Sequence, residues 1–337
     1  MIEKYANNSM QISDKQQLSE LVQKLPKLAF DPVVDSQWVQ TDIAQTYLNL
    51  YSINFATEFA GVVHGFGYVD AAGFRIATHY WLPEKADGTL VVMHGYYDHI
   101  GIFDNVIRFA LQRNLAVLAF DLPGHGLSSG DPAVIDSFNQ YADVLAQILQ
   151  QSDAILPKPL HAFGQSTGCA VLLNYLWRYA IEQNSVERFN KIILCAPLVL
   201  ARGWRGVYMG RFIYAAMRHF VQYLHRGRAR SSHDPEFNKF IMQHDCLQAK
   251  RLSLRWVGAM KEWNRLFRSF APLQKEVFVV QGTGDLTVDW RYNLPLIKQK
   301  LPQAKLHMIA DAGHQLINES DEYRTQVFAA IDQYLSS

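Results

Sequence analysis

The chain has 337 residues, of which 49% are hydrophobic and 19% are charged, with a formal net charge of +1. This composition is typical of a globular protein and excludes an intrinsically disordered one. The most apolar internal run, residues 192–201, is shorter than the ~20 residues that cross a bilayer, and residues 1–30 hold no apolar stretch behind a basic start. We therefore expect a cytoplasmic protein without a signal peptide or a transmembrane helix.

Cysteine and histidine usage points away from crosslinks and metals. Cys169, Cys195 and Cys246 are odd in number and lie far apart, which argues against a disulfide framework, and we predict three core thiols. The twelve histidines form no His-Glu-x-x-His pattern. The sequence thus predicts no metal and no other cofactor.

The predicted elements begin with residues 1–55, which are polar and partly amphipathic and indicate an N-terminal helical extension. Two alternating segments that start near Phe66 and Phe74 flank a turn at residues 70–73 and predict an antiparallel hairpin. Six short apolar segments then recur with helical stretches between them, which is typical of a mainly parallel sheet flanked by helices. These segments are Leu90–His94, Leu115–Asp121, Leu160–Gly164, Lys191–Ala196, Val277–Gln281 and Lys305–Ile309.

Residues 199–270 interrupt this alternation, so we predict an α/β core of residues 56–198 and 271–337 with an inserted helical cap. Two helical stripes mark the insert: Trp256, Met260, Trp263, Phe267 and Phe270, and Tyr208, Phe212, Ala215, Ala216 and His219. The insert has eleven Arg and three Lys against two Asp and two Glu, so its net charge is +10. The rest of the chain therefore carries a net charge of −9.

Two interpretations of this basic, aromatic-rich cap stay open. Its arginines and aromatic side chains could rest on an anionic membrane. Alternatively, the aromatic stripe packs on the core while the arginines pair with the acidic remainder. No recognised nucleic-acid-binding motif accompanies the charge, so we predict no nucleic-acid partner.

The motif Gly-Gln-Ser-Thr-Gly at residues 164–168 lies between a predicted strand and a predicted helix. This context is that of a nucleophile elbow, which exposes the Ser166 hydroxyl and leaves the Thr167 N–H free as an oxyanion donor. Residues 126–130 also read Gly-x-Ser-x-Gly, but they lie in a turn-rich loop with no helix at the serine. We therefore prefer Ser166 to Ser128 as the nucleophile.

A serine nucleophile needs a base, and the base needs a carboxylate to orient it. Asp285 and His314 each follow a predicted strand, and the carboxyl ends of parallel strands meet at one edge of the sheet. Asp289 and Asp311 are alternative acids, although Asp311 lies only three residues before the base and is more naturally a turn former. We prefer Asp285 as the acid and His314 as the base.

The segment after the strand at residues 90–94 supplies the second oxyanion donor. A glycine turn there can aim the Tyr96 N–H at Ser166. His94, Tyr97 and Gln165 flank the same region and are candidate pocket residues, with His94 more a loop brace than a proton carrier. Asp121 and His125 are expected to hold the loop that follows them.

Six motifs in order resemble the α/β-hydrolase superfamily, in the branch of monoacylglycerol lipases, lysophospholipases and serine aminopeptidases. They lie at residues 68–70 with 80–83, 94–99, 120–128, 164–168, 282–285 and 312–314. The resemblance covers residues 60–335 except most of the cap. It implies an α/β-hydrolase fold, a Ser166, Asp285 and His314 triad, and the backbone N–H groups of Tyr96 and Thr167 as oxyanion donors.

This chain departs from the usual pattern of that branch at two motifs. His-Gly-x-Gly-Glu-His is replaced by His-Gly-Tyr-Tyr-Asp-His, and Gly-His-Ser-Met-Gly-Gly by a motif with Gln165 before the serine and Cys169 after the second glycine. The catalytic residue types are kept, whereas the acyl or alcohol preference of the branch does not transfer.

We therefore expect a serine hydrolase that cleaves carboxylic esters, either of a single-chain lipid such as a monoacylglycerol or lysophospholipid or of a small ester, through an acyl-enzyme on Ser166. An acyl-thioesterase, an acyltransferase and a small peptidase are alternatives with the same triad. A non-catalytic receptor or scaffold is disfavoured, because all three triad residues are present.

Overall fold

A computed structural model describes residues 15–181, 188–204, 222–225 and 231–337. The first half contains α1 (Lys15–Lys24), α2 (Pro32–Val39), α3 (Asp42–Leu50), β1 (Val63–Ala71), β2 (Phe74–Leu82), β3 (Thr89–Met93), α4 (Asp104–Leu111), β4 (Ala116–Phe120), α5 (Phe138–Ser152), β5 (Leu160–Gln165) and α6 (Thr167–Tyr175). The second half contains β6 (Phe189–Cys195), β7 (Tyr223–His225), α7 (Pro235–Gln243), β8 (Arg251–Ser253), α8 (Leu254–Ser269), β9 (Phe278–Gly282), α9 (Trp290–Lys300), β10 (Lys305–Ile309) and α10 (Asp321–Ser336).

Eight strands form one sheet in the order β1-β2-β4-β3-β5-β6-β9-β10. Strand β2 is antiparallel to both β1 and β4, and the remaining neighbours are parallel. The predicted hairpin is present, with β1 beginning three residues before Phe66, and the six predicted parallel strands are present with ends shifted by at most two residues. The prediction of a mainly parallel sheet flanked by helices is confirmed.

The central strands are buried on both faces, because helices cover each side of the sheet. Along β3, Val91 and Met93 point into one hydrophobic cluster, while Leu90 and Val92 point into the other. Helices α5, α6 and α8 supply the first cluster, and α3, α4 and α10 supply the second. The carboxyl ends of the parallel strands are thereby fixed between two packed layers.

The N-terminal helices pack against the antiparallel edge of the sheet. The Leu28 N–H donates to the Tyr68 carbonyl at 2.9 Å, and the Tyr68 N–H donates to the Pro26 carbonyl at 2.7 Å, so this segment covers the free side of β1. Tyr51, just after α3, donates through its hydroxyl to Asp245 at 3.0 Å. The extension therefore contacts both the sheet and the 231–253 segment.

Asp245 is the centre of a buried junction between three segments. Besides Tyr51, its carboxylate binds Nε2 of His99 at 3.0 Å, and both side chains are fully shielded from solvent. Burial by itself lowers the pKa of His99, but the charge and hydrogen bond of Asp245 outweigh it and raise that pKa above its ordinary value. The junction ties α3 and the loop after β3 to the turn that carries Asp245.

Within residues 199–270, helix α8 carries the first predicted aromatic stripe. Trp256, Trp263 and Phe267 are buried in the core cluster, and Phe270 follows the last helical turn. Arg255 forms ion pairs with Asp131 and Asp136, as the core-packing interpretation expects for that residue. The second stripe, at residues 208–219, lies outside the described residues.

Two features of this region differ from the sequence-based expectations. Strands β7 and β8 form a small antiparallel pair that was not predicted, because strands of three residues leave no periodic signal. Cys246 is exposed in the turn after α7, so its prediction as a core thiol is wrong, whereas Cys169 and Cys195 are buried. Within the described ranges, no helix combines the length and the apolar character needed to cross a membrane.

Asp35 gives a direct test of how the extension is held. Its buried carboxylate accepts from the N–H groups of Ala29 and Asp31 and from the Tyr80 hydroxyl at 2.8 Å. Asp35→Ala strands all three donors and should lower the free energy of unfolding by about 2 kcal/mol in urea denaturation. Tyr80→Phe removes one of these bonds and should cost about half as much; equal costs would contradict this account.

Candidate active site

Ser166 occupies a sharp turn between β5 and α6, with φ 53° and ψ −108°. A non-glycine residue rarely adopts a positive φ, and such strain persists only where the surrounding packing fixes it. A Cβ on Gly168 would lie 2.3 Å from the Met93 carbonyl oxygen, and one on Gly164 would lie 2.7 Å from the Cys169 nitrogen. Both motif glycines are therefore required for α6 to pack this closely on the sheet.

His314 and Asp285 meet beyond the ends of β10 and β9. Nδ1 of His314 lies 2.8 Å from Oδ2 of Asp285, and both residues are buried. The other oxygen of Asp285 accepts from the N–H groups of Thr287 and Val288, and Gln281 donates to Oδ2 at 3.1 Å. The carboxylate is thus held in place, and Nε2 is the imidazole nitrogen left for other partners.

The pKa values of this pair are shifted in opposite directions. Burial by itself raises the pKa of Asp285, but the charge of His314 and the hydrogen bonds to the carboxylate lower it below its usual value. Burial lowers the pKa of His314, yet Asp285 and, more weakly, Asp98 raise it above 6.5. Asp285 is therefore ionised at neutral pH, and its negative charge favours the protonated form of His314.

One hydrogen bond joins the turn at Ser166 to the loop at residues 311–319, which carries His314 and is called the histidine loop here. Nε2 of Gln165 donates to the His314 carbonyl oxygen at 2.8 Å. Ser166 and His314 both lie in the described chain, and no hydrogen bond joins the serine hydroxyl to His314 there. Such contacts often tighten only when substrate binds.

The loop after β3 runs beside the turn that carries Ser166. A Cβ on Gly95 would lie 3.3 Å from Cβ of Ser166, which places the backbone before Tyr96 directly at the turn. The Tyr96 ring stacks on Trp256 with centroids 3.7 Å apart, and its hydroxyl donates to the Ala133 carbonyl. Thr167 is the first residue of α6. Both predicted oxyanion donors thus lie on backbone adjacent to Ser166.

The three candidate pocket residues occupy different environments. His94 and Gln165 are fully buried, and their ring and amide nitrogens bind backbone groups, as expected of loop braces. Tyr97 is half-buried and has a positive φ of 72°. Of the three, Tyr97 alone retains surface exposure, and its ring lies against that of Tyr96 with centroids 4.1 Å apart.

The alternative residues Ser128, Asp289 and Asp311 make no described contact with the side chain of His314. The Ser128 hydroxyl donates to the Asp121 carbonyl and accepts the Ala77 N–H, so it anchors a loop to β2. Asp289 lies at the start of α9, and Asp311 forms a turn with φ 60°. His314 binds Asp285 rather than either of these acids.

Asp121 and His125 hold the loop that follows β4. The Asp121 carboxylate accepts the N–H groups of Ile100 and Leu127, and Nδ1 of His125 binds the Pro123 carbonyl. Burial lowers the pKa of His125 to about 4. Both residues have the bracing contacts expected from the sequence.

Several polar residues around the site were not found from the sequence. Glu319 is fully buried and accepts the N–H groups of Gly313 and His233, each at 2.6 Å, which fastens the histidine loop to the 231–234 segment. Gln315 donates to both oxygens of Asp98 at 3.0 Å. Each is a single polar residue bound to a distant part of the chain, and no local pattern marks it.

Among the described residues, neither a cluster of metal ligands nor the groove beside α4 includes Ser166, Asp285 or His314. Among the described residues, no three His, Cys, Asp or Glu side chains converge as metal ligands. A groove of about 1450 Å³ lies between α4, α7 and α10, and its walls include none of Ser166, His314 and Asp285. The candidate site is therefore the buried cluster at the carboxyl ends of β5, β9 and β10.

Comparisons with known proteins give one family and a consistent set of relatives. A family model described as "Serine aminopeptidase, S33" matches residues 84–321. Monoglyceride lipase of Rattus norvegicus is 25% identical over 80% of this chain and 89% of its own, and a probable lysophospholipase of Haemophilus influenzae is 22% identical over 77% and 87%. The structure of a monoglyceride lipase from Saccharomyces cerevisiae superposes with a TM-score of 0.66 and 18% identity over 80% of this chain and 93% of that one.

Titration of His314 tests the charge coupling at the site. Asp285→Asn removes the neighbouring charge, so the pKa of His314 should fall by about 1–3 units, measured by NMR of histidine-labelled protein. In the parent protein the raised pKa means that protonated His314 stabilises the fold below about pH 6.5, and this contribution is lost as the pH rises through that pKa.

The matched control for this titration is Asp289→Asn, which removes a nearby carboxylate that does not bind His314. It should leave the pKa of His314 unchanged. An equal fall in both variants would show that the Asp285 contact does not cause the shift.

Proposed function

Since this chain belongs to the serine aminopeptidase family of α/β-hydrolases, in its monoglyceride lipase and lysophospholipase branch, and is an esterase-like hydrolase, we propose that it cleaves carboxylic esters through an acyl-enzyme on Ser166. The single observation that carries this proposal is the 2.8 Å contact between His314 and Asp285, beside a strained serine at the end of β5. A serine, an imidazole and a carboxylate at one sheet edge are the components of acyl transfer.

In the proposed first step, the Ser166 oxygen attacks the ester carbonyl carbon while Nε2 of His314 takes the hydroxyl proton. Asp285 holds Nδ1, so the imidazole presents Nε2 to the serine and its positive charge is stabilised. The carbonyl oxygen gains the negative charge, which the backbone N–H groups of Tyr96 and Thr167 stabilise.

The tetrahedral intermediate then collapses. The carbon–oxygen bond to the alcohol breaks, and His314 returns its proton to that leaving oxygen, which leaves the acyl group on Ser166. Water attacks the acyl-enzyme in the second half, with His314 again accepting and returning one proton. The products are a carboxylic acid and an alcohol, and the enzyme is regenerated.

The proposed substrate is an ester of a single-chain lipid, such as a monoacylglycerol or a lysophospholipid. Relatives that align over most of their length are named for these two substrate classes. Trp256 of α8 stacks on the half-buried Tyr96 ring beside the same site, and the exposed part of Tyr96 is the apolar surface proposed for the acyl chain. Residues 199–270 are proposed to act as a cap over the acyl chain of the bound substrate.

Ser166→Ala tests the mechanism. It should lower kcat/KM for p-nitrophenyl esters by about 10⁴-fold or more, because the nucleophile is lost while the fold is kept. The matched control is Ser128→Ala in the second Gly-x-Ser-x-Gly sequence, which should retain the activity of the parent protein. Hydrolysis that survives in Ser166→Ala, or is lost equally in Ser128→Ala, would contradict the assignment.

The same parent and variant proteins separate the substrate classes. Monoacylglycerol, lysophospholipid, acyl-CoA and aminoacyl-naphthylamide substrates present ester, thioester and amide bonds to one triad. Ester cleavage should be the fastest, and amide or thioester cleavage as fast as ester cleavage would overturn the ester assignment in favour of a peptidase, thioesterase or acyltransferase.

We also propose peripheral contact of residues 199–270 with anionic membranes, on the basis of their charge of +10. Co-sedimentation should be stronger with phosphatidylglycerol vesicles than with phosphatidylcholine vesicles, and weaker in a variant with Arg226, Arg228 and Arg230 changed to Gln. A variant with Lys24, Lys85 and Lys158 changed to Gln loses the same charge elsewhere and should bind as the parent does. Equal binding to both vesicle types would exclude the contact.

A further inference from the structure

Gln165 is the last residue of β5 and directly precedes Ser166. Its side chain is fully buried, and its Nε2 donates to the backbone carbonyl oxygen of His314 at 2.8 Å. A carbonyl oxygen only accepts hydrogen bonds, so the amide must turn its NH₂ group towards His314. One buried hydrogen bond thus links the neighbour of the candidate nucleophile to the candidate base.

The other side-chain contacts of the histidine loop join it to segments other than β5. Asp285 orients the imidazole ring from the end of β9, and Glu319 holds the Gly313 N–H towards the 231–234 segment. Gln315 reaches Asp98 in the loop after β3. Among these side-chain contacts of the described chain, that of Gln165 runs to the strand before Ser166, and it spans 149 residues of sequence. It therefore bears directly on the separation between Ser166 and His314.

The other end of the Gln165 amide argues against a purely structural role. Its Oε1 is buried and has no hydrogen-bond partner within the described part of the chain. A buried polar atom without a partner destabilises a fold, and an apolar side chain of similar size would fill this space without that loss. Leucine or methionine would avoid this loss but would leave the buried His314 carbonyl without its donor, so what glutamine supplies at this position is the bond to His314.

We propose that Gln165 is a positioning residue that holds the His314 loop at the distance from Ser166 needed for proton transfer. This inference rests on the proposed function. The position also distinguishes this chain from the branch it resembles, which usually has histidine before the serine. Small displacements of reacting groups lower rates strongly, since a shift of about 1 Å can cost about 100-fold.

Gln165→Leu removes the bond, with Gln165→Met as a second variant whose unbranched chain fills the same space. Both should lower kcat for a p-nitrophenyl ester by about 10–100-fold while KM changes less than about twofold, because His314 is displaced and ester binding is kept. The matched control is Asn174→Leu, which removes a buried amide that binds Asn139 at 3.0 Å from the same nucleophile helix. This control should keep the kcat of the parent protein.

Hydrogen exchange at residues 311–319 gives a readout that does not depend on activity. Exchange in this loop should become faster in the two Gln165 variants and stay as in the parent protein in Asn174→Leu. Parent-like kcat and exchange in Gln165→Leu would overturn the proposal, as would an equal loss of kcat in Asn174→Leu. If the parent protein cleaves no ester and the loop still exchanges faster in the two Gln165 variants, the contact that holds the loop is supported and the proposed function is overturned instead.

Discussion

The turn at Ser166 depends on close packing between α6 and the sheet. A serine with φ 53° is strained by about 1–3 kcal/mol, and it keeps this geometry because the helix that follows cannot move away. Gly168 lies so close to the Met93 carbonyl that any side chain would push the helix outwards. The chemistry therefore depends on this close approach of α6 to the sheet, which the glycines allow. The approach places the Ser166 hydroxyl at the N-terminus of α6.

The carboxyl ends of the parallel strands supply the rest of the site, but loop contacts set its final geometry. Asp285 and His314 arrive from β9 and β10, and their 2.8 Å contact sets both pKa shifts. Buried polar groups then fasten the loops to one another, with Glu319 at the 231–234 segment and Gln165 at the nucleophile strand. Such networks are effective in a buried site because low solvent access strengthens each bond.

The features that could be predicted from the sequence are those that produce a local residue pattern. Buried parallel strands read as continuous apolar runs, so β3 to β6, β9 and β10 were located within two residues. Asp285 and His314, which follow two such runs, are in contact in the structure. The contacts of Glu319, Gln165 and Asp245 could not be found, because each joins segments 86 to 194 residues apart through one polar side chain. The three-residue strands β7 and β8 were missed because they are too short to show a period.

The pairing of residues 26–28 with β1 has a consequence for how copies of this protein can meet. It occupies the outer edge of the described sheet at Tyr68, whereas β10 at the opposite edge pairs only with β9 there. Continuous fibre growth by edge-to-edge pairing needs two open edges on every molecule. Residues 26–28 obstruct such growth at the middle of β1, where both backbone groups of Tyr68 are already bonded.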